Sequence, residues 1–132
     1  MNKKILVLCT GNSCRSIIAE ALINAHIKGV EAYSAGVRAS GVVNPNAKRV
    51  LQEAGIWRDG YHSKETQEIK DIDFDLVITV CNNAKESCPI FEKKAKVIHV
   101  GFEDPDGKEY AEFVKTFNEI KTKLIPIVEN EL

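Results

Sequence analysis

Proline and glycine are scarce. There are four and eight in 132 residues, too few for a collagen-like or linker-like chain. No apolar run approaches the roughly 20 residues of a membrane span. The N-terminal run is shorter still, with only Ile5, Leu6, Val7 and Leu8 between two lysines and a cysteine. The core of a secretion signal needs about seven apolar residues, so this stretch reads as a first strand. A surplus of positive charge is missing as well. Eighteen basic residues against nineteen acidic ones leave a formal net charge of −1, which excludes a nucleic-acid binder driven by counterion release. These absences predict a cytoplasmic protein without membrane or nucleic-acid partners, whose cysteines are thiols at rest.

What is present is a globular composition, 44% hydrophobic and 28% charged, on a chain of one-domain length. Residues 1–132 are expected to form a single domain. Residues 4–8 are apolar and rich in branched side chains, as in a buried parallel strand. Residues 9–15 are small and polar, a loop. From Ser16 the period turns helical, with Ile17, Ile18, Ala21, Leu22 and Ala25 inward and Glu20 and Asn24 outward. Ser13 or Ser16 is its expected cap and Gly29 its stop. Residues 30–34 predict a second strand, and Pro45 opens a helix over 45–54 that Gly55 closes. Residues 58–66 are polar and irregular. Further strands are expected at 75–80 and 96–100, an acidic turn at 101–108, and a helix over 109–125 limited or kinked by Pro126.

Strands alternating with helices imply right-handed βαβ units and an α/β fold, its parallel sheet covered on both faces. In such sheets function gathers at the carboxyl ends of the strands. Cys9 follows strand one, Cys81 follows strand three, and Asp104 comes shortly after strand four. All three are expected on one edge.

The segment Cys9-Thr10-Gly11-Asn12-Ser13-Cys14-Arg15-Ser16 lies between strand and helix. Thr10, Gly11, Asn12, Ser13 and Cys14 are of the small or turn-forming kind that can wrap backbone N–H groups around a tetrahedral oxyanion. The helix N-terminus adds positive potential there. Arg15 offers a bidentate fork to two oxygens of the anion, and Cys9 points at its centre. The same field is expected to lower the Cys9 thiol. An ordinary cysteine is only about 3% thiolate at pH 7, and a drop of two units makes it roughly three-quarters thiolate. Ser16 can donate a further hydrogen bond to that sulfur. A nucleotide P-loop is excluded, since no Gly-Lys-Ser/Thr follows.

Asp104-Pro105 starts a turn, and at this edge Asp104 can act as general acid for a leaving oxygen. Glu103 reads as its solvated neighbour. Cys81 and Cys88 bracket a polar segment. The four cysteines fall as C-x4-C and C-x6-C, wider than zinc-knuckle spacing, so redox exchange is favoured over zinc. His26, His62 and His99 read as structural, and Trp57 as packing. Ala84, Lys85 and Glu86 favour a short helix over 82–87.

With these segments in view, the chain resembles the thioredoxin-coupled arsenate reductases, which share the low-molecular-weight protein tyrosine phosphatase fold. The resemblance runs from KKILVLCTGNSCRS through VITVCNNAKESCP to HVGFEDPDGKEY. It implies a three-layer α/β/α architecture around a four-stranded parallel sheet. Cys9 would be the nucleophile, Arg15 the oxyanion clamp, Ser16 the thiolate's hydrogen-bond donor and Asp104 the acid. Cys81 and Cys88 would be the second and third redox cysteines, and Cys14 an extra loop cysteine not needed for turnover. It implies arsenate as substrate, thioredoxin as reductant and no cofactor. Some relatives bind potassium beside the anion loop, and Asn12, Glu20 and Ser34 match that pattern. Two other readings remain. One is a phosphotyrosine phosphatase using Cys9, Arg15 and Asp104, although Asp106-Gly107-Lys108 replaces the aromatics that usually follow Asp-Pro. The other is a non-enzymatic oxyanion-binding or redox-sensing protein.

Overall fold

Successive residues of a strand point to opposite faces of a sheet, so a strand with no exposed side chain needs cover on both sides. From Ile5 onward strand β1 (Lys3–Cys9) is of this kind: Ile5, Leu6, Val7 and Leu8 are all fully buried. In the computed structural model, which describes residues 2–81 and 95–132, β1 lies inside a four-stranded parallel sheet of order β2-β1-β3-β4. Its partners are β2 (Val30–Gly36), β3 (Leu76–Thr79) and β4 (Lys96–His99). Cys88 and the short helix expected over 82–87 lie outside the described residues.

Three α-helices accompany the sheet among the described residues: α1 (Arg15–His26), α2 (Pro45–Glu53) and α3 (Tyr110–Glu131). The fold is α/β, as its alternating pattern predicts. Asn44 caps α2, its side-chain oxygen accepting from Asn46 N at 2.8 Å, and Pro45 at the first helical position has no N–H to satisfy. Gly55 follows with a positive φ of 75°, a conformation that glycine adopts without cost.

Several expectations are corrected. Helix α1 begins at Arg15, and its N-cap, Cys14, makes no side-chain capping bond, so neither Ser13 nor Ser16 caps it. Its Glu20 is buried rather than outward, while Ala25 is exposed rather than inward. The reason is that α1 is packed against β1, β2, α2 and α3, which leaves residues 16–23 no solvent face. Asn24 faces the β2 backbone, donating to Ala32 O and accepting from Ala32 N. Helix α3 continues past Pro126 to Glu131. Pro126 sits on the exposed face and costs one backbone bond, while Ile125 and the fully buried Val128 extend the stripe of Phe113, Ile120 and Leu124. A 3-10 turn at Thr66–Ile69 has no counterpart in the pattern reading. Among the described residues no helix is long and apolar enough to cross a membrane.

The strand order changes direction beside β1, with β2 on one side and β3 on the other. Crevices at such reversals, outside the carboxyl ends of the strands, are where open α/β sheets bind ligands. The register pairs Leu8 with Thr79, and Val80 N donates to Leu8 O at 3.0 Å. Cys9 and Cys81 therefore emerge from neighbouring strands at the same edge.

Candidate active site

The loop after β1 is shaped by where its carbonyls go. Cys9 O accepts from Val37 N, Thr10 O from Arg38 N, Gly11 O from Ser40 N and Ser13 O from Asn44 N, all at 2.9–3.0 Å. Cys14 O accepts from Ile18 N inside the first turn of α1. In a trans peptide the next N–H points opposite to the carbonyl, so a loop with its carbonyls tied outward turns its N–H groups inward. The result is a concave loop at the start of α1 whose N–H groups are placed as an oxyanion would need them.

Gly36 makes this closure possible. A methyl group there would lie 2.6 Å from Thr10 O and 3.1 Å from Asn12 Cβ. Asn12 is fully buried with a positive φ of 49°, a region that asparagine tolerates better than most side chains. Its amide nitrogen donates to Ser16 Oγ at 2.8 Å and Ser34 Oγ at 2.9 Å, and its oxygen accepts from Lys64 N at 2.9 Å. Among the described residues the partner of Ser16 Oγ is thus Asn12, rather than the Cys9 sulfur that the sequence pattern suggests.

A cavity of about 220 Å³ is bounded by this loop, Ser40, Asp104 and Asp106. No aromatic side chain lines it among the described residues. Arg15 spans its floor: Nη1 donates to Phe102 O at 3.0 Å and Nη2 faces Asp104 Oδ2 at 3.4 Å. Its Nε is buried and has no hydrogen-bond partner among the described residues. A buried donor of that kind is suited to an anion's oxygen. Asp104, half-exposed at the rim, also accepts from Asp106 N at 3.0 Å.

Cys9 and Cys81 are both buried at the ends of neighbouring strands, and Thr10 Oγ1 lies 3.1 Å from Cys81 Sγ. The neighbouring Cys81 and then burial push the Cys9 thiol up, against the pull of Arg15 and the Thr10 N–H. This reverses the lowering expected from the loop field alone, because a second sulfur shares the proton. Cys14 is also buried, its Sγ 3.6 Å from Ser13 Oγ and 4.0 Å from Asp106 Oδ1. Burial pushes it up to about 11, with Asp104 and Asp106 adding to the effect and the Ser13 hydrogen bond opposing it.

The residues matched to a potassium site do come together. Ser34 Oγ donates to Glu20 Oε1 at 2.6 Å and accepts from Asn12. The residues present do not fit potassium, however. The ammonium of Lys64 already donates to Ser34 O and His62 O, both at 3.0 Å, and its charge acts on Glu20. Lys64, Asn44, Gly36 and Ser63, whose Oγ donates to Gly11 O at 3.1 Å, carry no motif and escape sequence reasoning. Only Asn44, immediately before the Pro45 that opens α2, offers a signal as a cap.

Residues 4–131 match the family profile described as low molecular weight phosphotyrosine protein phosphatase. A relative from Brevibacillus brevis, named arsenate reductase, is 40% identical over 134 residues, 97% of this chain and 96% of that protein. The crystal structure of an arsenate reductase from Archaeoglobus fulgidus matches with a TM-score of 0.81 at 33% identity, covering 95% of this chain and 98% of that one. A low molecular weight protein tyrosine phosphatase from T. tengcongensis matches with a TM-score of 0.79 at 28% identity, covering 98% and 99%.

Proposed function

The chain belongs to the low molecular weight phosphotyrosine protein phosphatase family, and from that premise we propose that it is an arsenate reductase regenerated by thioredoxin. The observation that carries the reading is the second sulfur. A phosphatase of this kind needs Cys9, Arg15 and an acid, whereas here a second buried cysteine, Cys81, stands beside Cys9 at the ends of the paired strands β1 and β3. Names of relatives at about 40% identity support the same choice. The small cavity, without aromatic walls among the described residues, suits a free tetrahedral oxyanion better than an aryl ester, and slow aryl-phosphate hydrolysis is expected as a side reaction.

Arsenate sits among the loop amides and Arg15. Cys9 passes its proton to an oxygen of the bound arsenate and attacks arsenic as thiolate, and an oxygen leaves as water with the proton that Asp104 supplies. Cys81, as thiolate, then attacks the Cys9 sulfur. The arsenic–sulfur bond breaks with its electron pair going to arsenic, which falls from As(V) to As(III) and departs as arsenite. The two sulfurs are oxidised to a Cys9–Cys81 disulfide. Cys88 attacks Cys81 and expels the Cys9 thiolate, leaving a Cys81–Cys88 disulfide. A thioredoxin dithiol reduces that bond with two electrons. Each cycle begins from thiols, which a reducing cytoplasm maintains.

The test is arsenate-dependent NADPH oxidation in the presence of thioredoxin and its reductase, alongside an aryl-phosphate assay. Cys9→Ser should abolish both activities. Cys81→Ser and Cys88→Ser should stop reduction and spare hydrolysis. Equal loss of both activities in the latter pair would make those cysteines structural, and undiminished reduction would remove them from the relay.

A further inference from the structure

One residue touches both the anion loop and the acid loop. The backbone N–H of Asn44 donates to Ser13 O at 2.9 Å, and its side-chain nitrogen donates to Asp106 Oδ1 at 2.8 Å. Its side-chain oxygen is anchored in turn by Asn46 N, so the amide group cannot flip without losing the α2 cap. Asp106 is the other half of the contact. While its carboxylate holds Asn44, its N–H holds Asp104 Oδ1 and leaves Oδ2 towards Arg15. The chain of contacts runs from Ser13 through Asn44 and Asp106 to Asp104.

We infer that Asn44 and Asp106 are positioning residues, a clasp that keeps the Asp104 carboxyl in register with the anion held by the preceding loop. This deepens the reductase reading and rests on it for the arsenate assay. The clasp fixes which Asp104 oxygen faces the cavity and how far it stands from the leaving oxygen. A positioned general acid is worth roughly 100-fold or more in rate. Displacing it should therefore lower kcat much more than it raises KM, since the loop amides and Arg15 still bind the anion.

Donor–acceptor polarity makes the clasp testable. Asn44→Asp retains the helix cap, because aspartate caps as well as asparagine. It also sets two carboxylates against each other at the clasp. Its kcat for arsenate reduction should fall about tenfold or more, with KM within about threefold and the melting temperature little changed. Asp106→Asn keeps an acceptor oxygen for Asn44 and should lose less kcat than N44D. Combining N44D with D106N reverses the polarity and should restore most of the lost kcat. The backbone amide proton of residue 106, followed by NMR, should move between wild type and N44D and should sit in the double variant where it sits in D106N, and this readout needs no activity. Aryl-phosphate hydrolysis with a poor leaving group should show the same pattern of loss and rescue. If the wild type reduces no arsenate, the function proposed above fails while these last two readouts still decide the clasp. Wild-type kcat in N44D, an unmoved Asp106 amide, or no recovery in the double variant would overturn it.

Discussion

At the end of β2 a missing methyl group lets the anion loop close, and that dependence can be measured. Gly36→Ala places a Cβ 2.6 Å from Thr10 O, against backbone that has no free rotor to yield. The expected cost is about 1–3 kcal/mol of stability, typical of overpacking, together with weaker binding of inorganic phosphate. Thermal melts and calorimetric titration check both, and an unchanged affinity would show that the loop tolerates the shift. Cys9 and Arg15 are picked out in the sequence by a local spacing within one strand–loop–helix unit. Gly36, Asn44 and Lys64 are not, because each acts on a segment tens of residues away that only the sheet brings near. The thiol state of Cys9 fails to read for the same reason. Its expected lowering follows from its own loop, and the opposing sulfur arrives from β3.

Among the elements, α1 is where pattern and packing diverge most. Helical spacing finds the helix and most of its core face, and then assigns Glu20 to solvent because a carboxylate normally lies there. With β1, β2, α2 and α3 all packed against α1, Glu20 is enclosed, and burial pushes it up to about 7 despite the Ser34 hydrogen bond and the nearby Lys64. A carboxyl whose folded value lies above its ordinary 4.5 binds more protons in the folded state than in the unfolded state between these limits. Its stabilising effect is full below about pH 4.5 and is lost as pH rises through about 7. The melting temperature of the wild type should therefore decline across that window relative to Glu20→Gln, whose own profile lacks this component. The difference in stability between the window's ends should be no more than about 3 kcal/mol. Parallel profiles for the two proteins would mean that Glu20 is ionised throughout. The limit at Pro126 misleads in a simpler way: proline predicts a stop, and the buried Val128 one turn further on outweighs it.

Over the whole molecule, the parallel sheet and the convergence of Cys9, Cys81 and Asp104 at one edge are legible from the order of strands and helices. Which strands neighbour one another is not, and the order β2-β1-β3-β4 is what sets the two sulfurs side by side. The anion cradle draws on four separate stretches of chain: 9–15, 36–44, 63–64 and 102–106. An oxyanion should thus bind the folded chain alone, and inorganic phosphate at 100 times its Kd should add about 2.7 kcal/mol of stability. A melting temperature indifferent to phosphate would mean that the cradle does not bind it. Contacts between such distant stretches close late when a chain folds, since each must first meet the entropy of a long loop. The outward-tied carbonyls accordingly make the bound anion a brake on unfolding and no help to folding. In stopped-flow measurements phosphate should lower the unfolding rate and leave the refolding rate almost untouched.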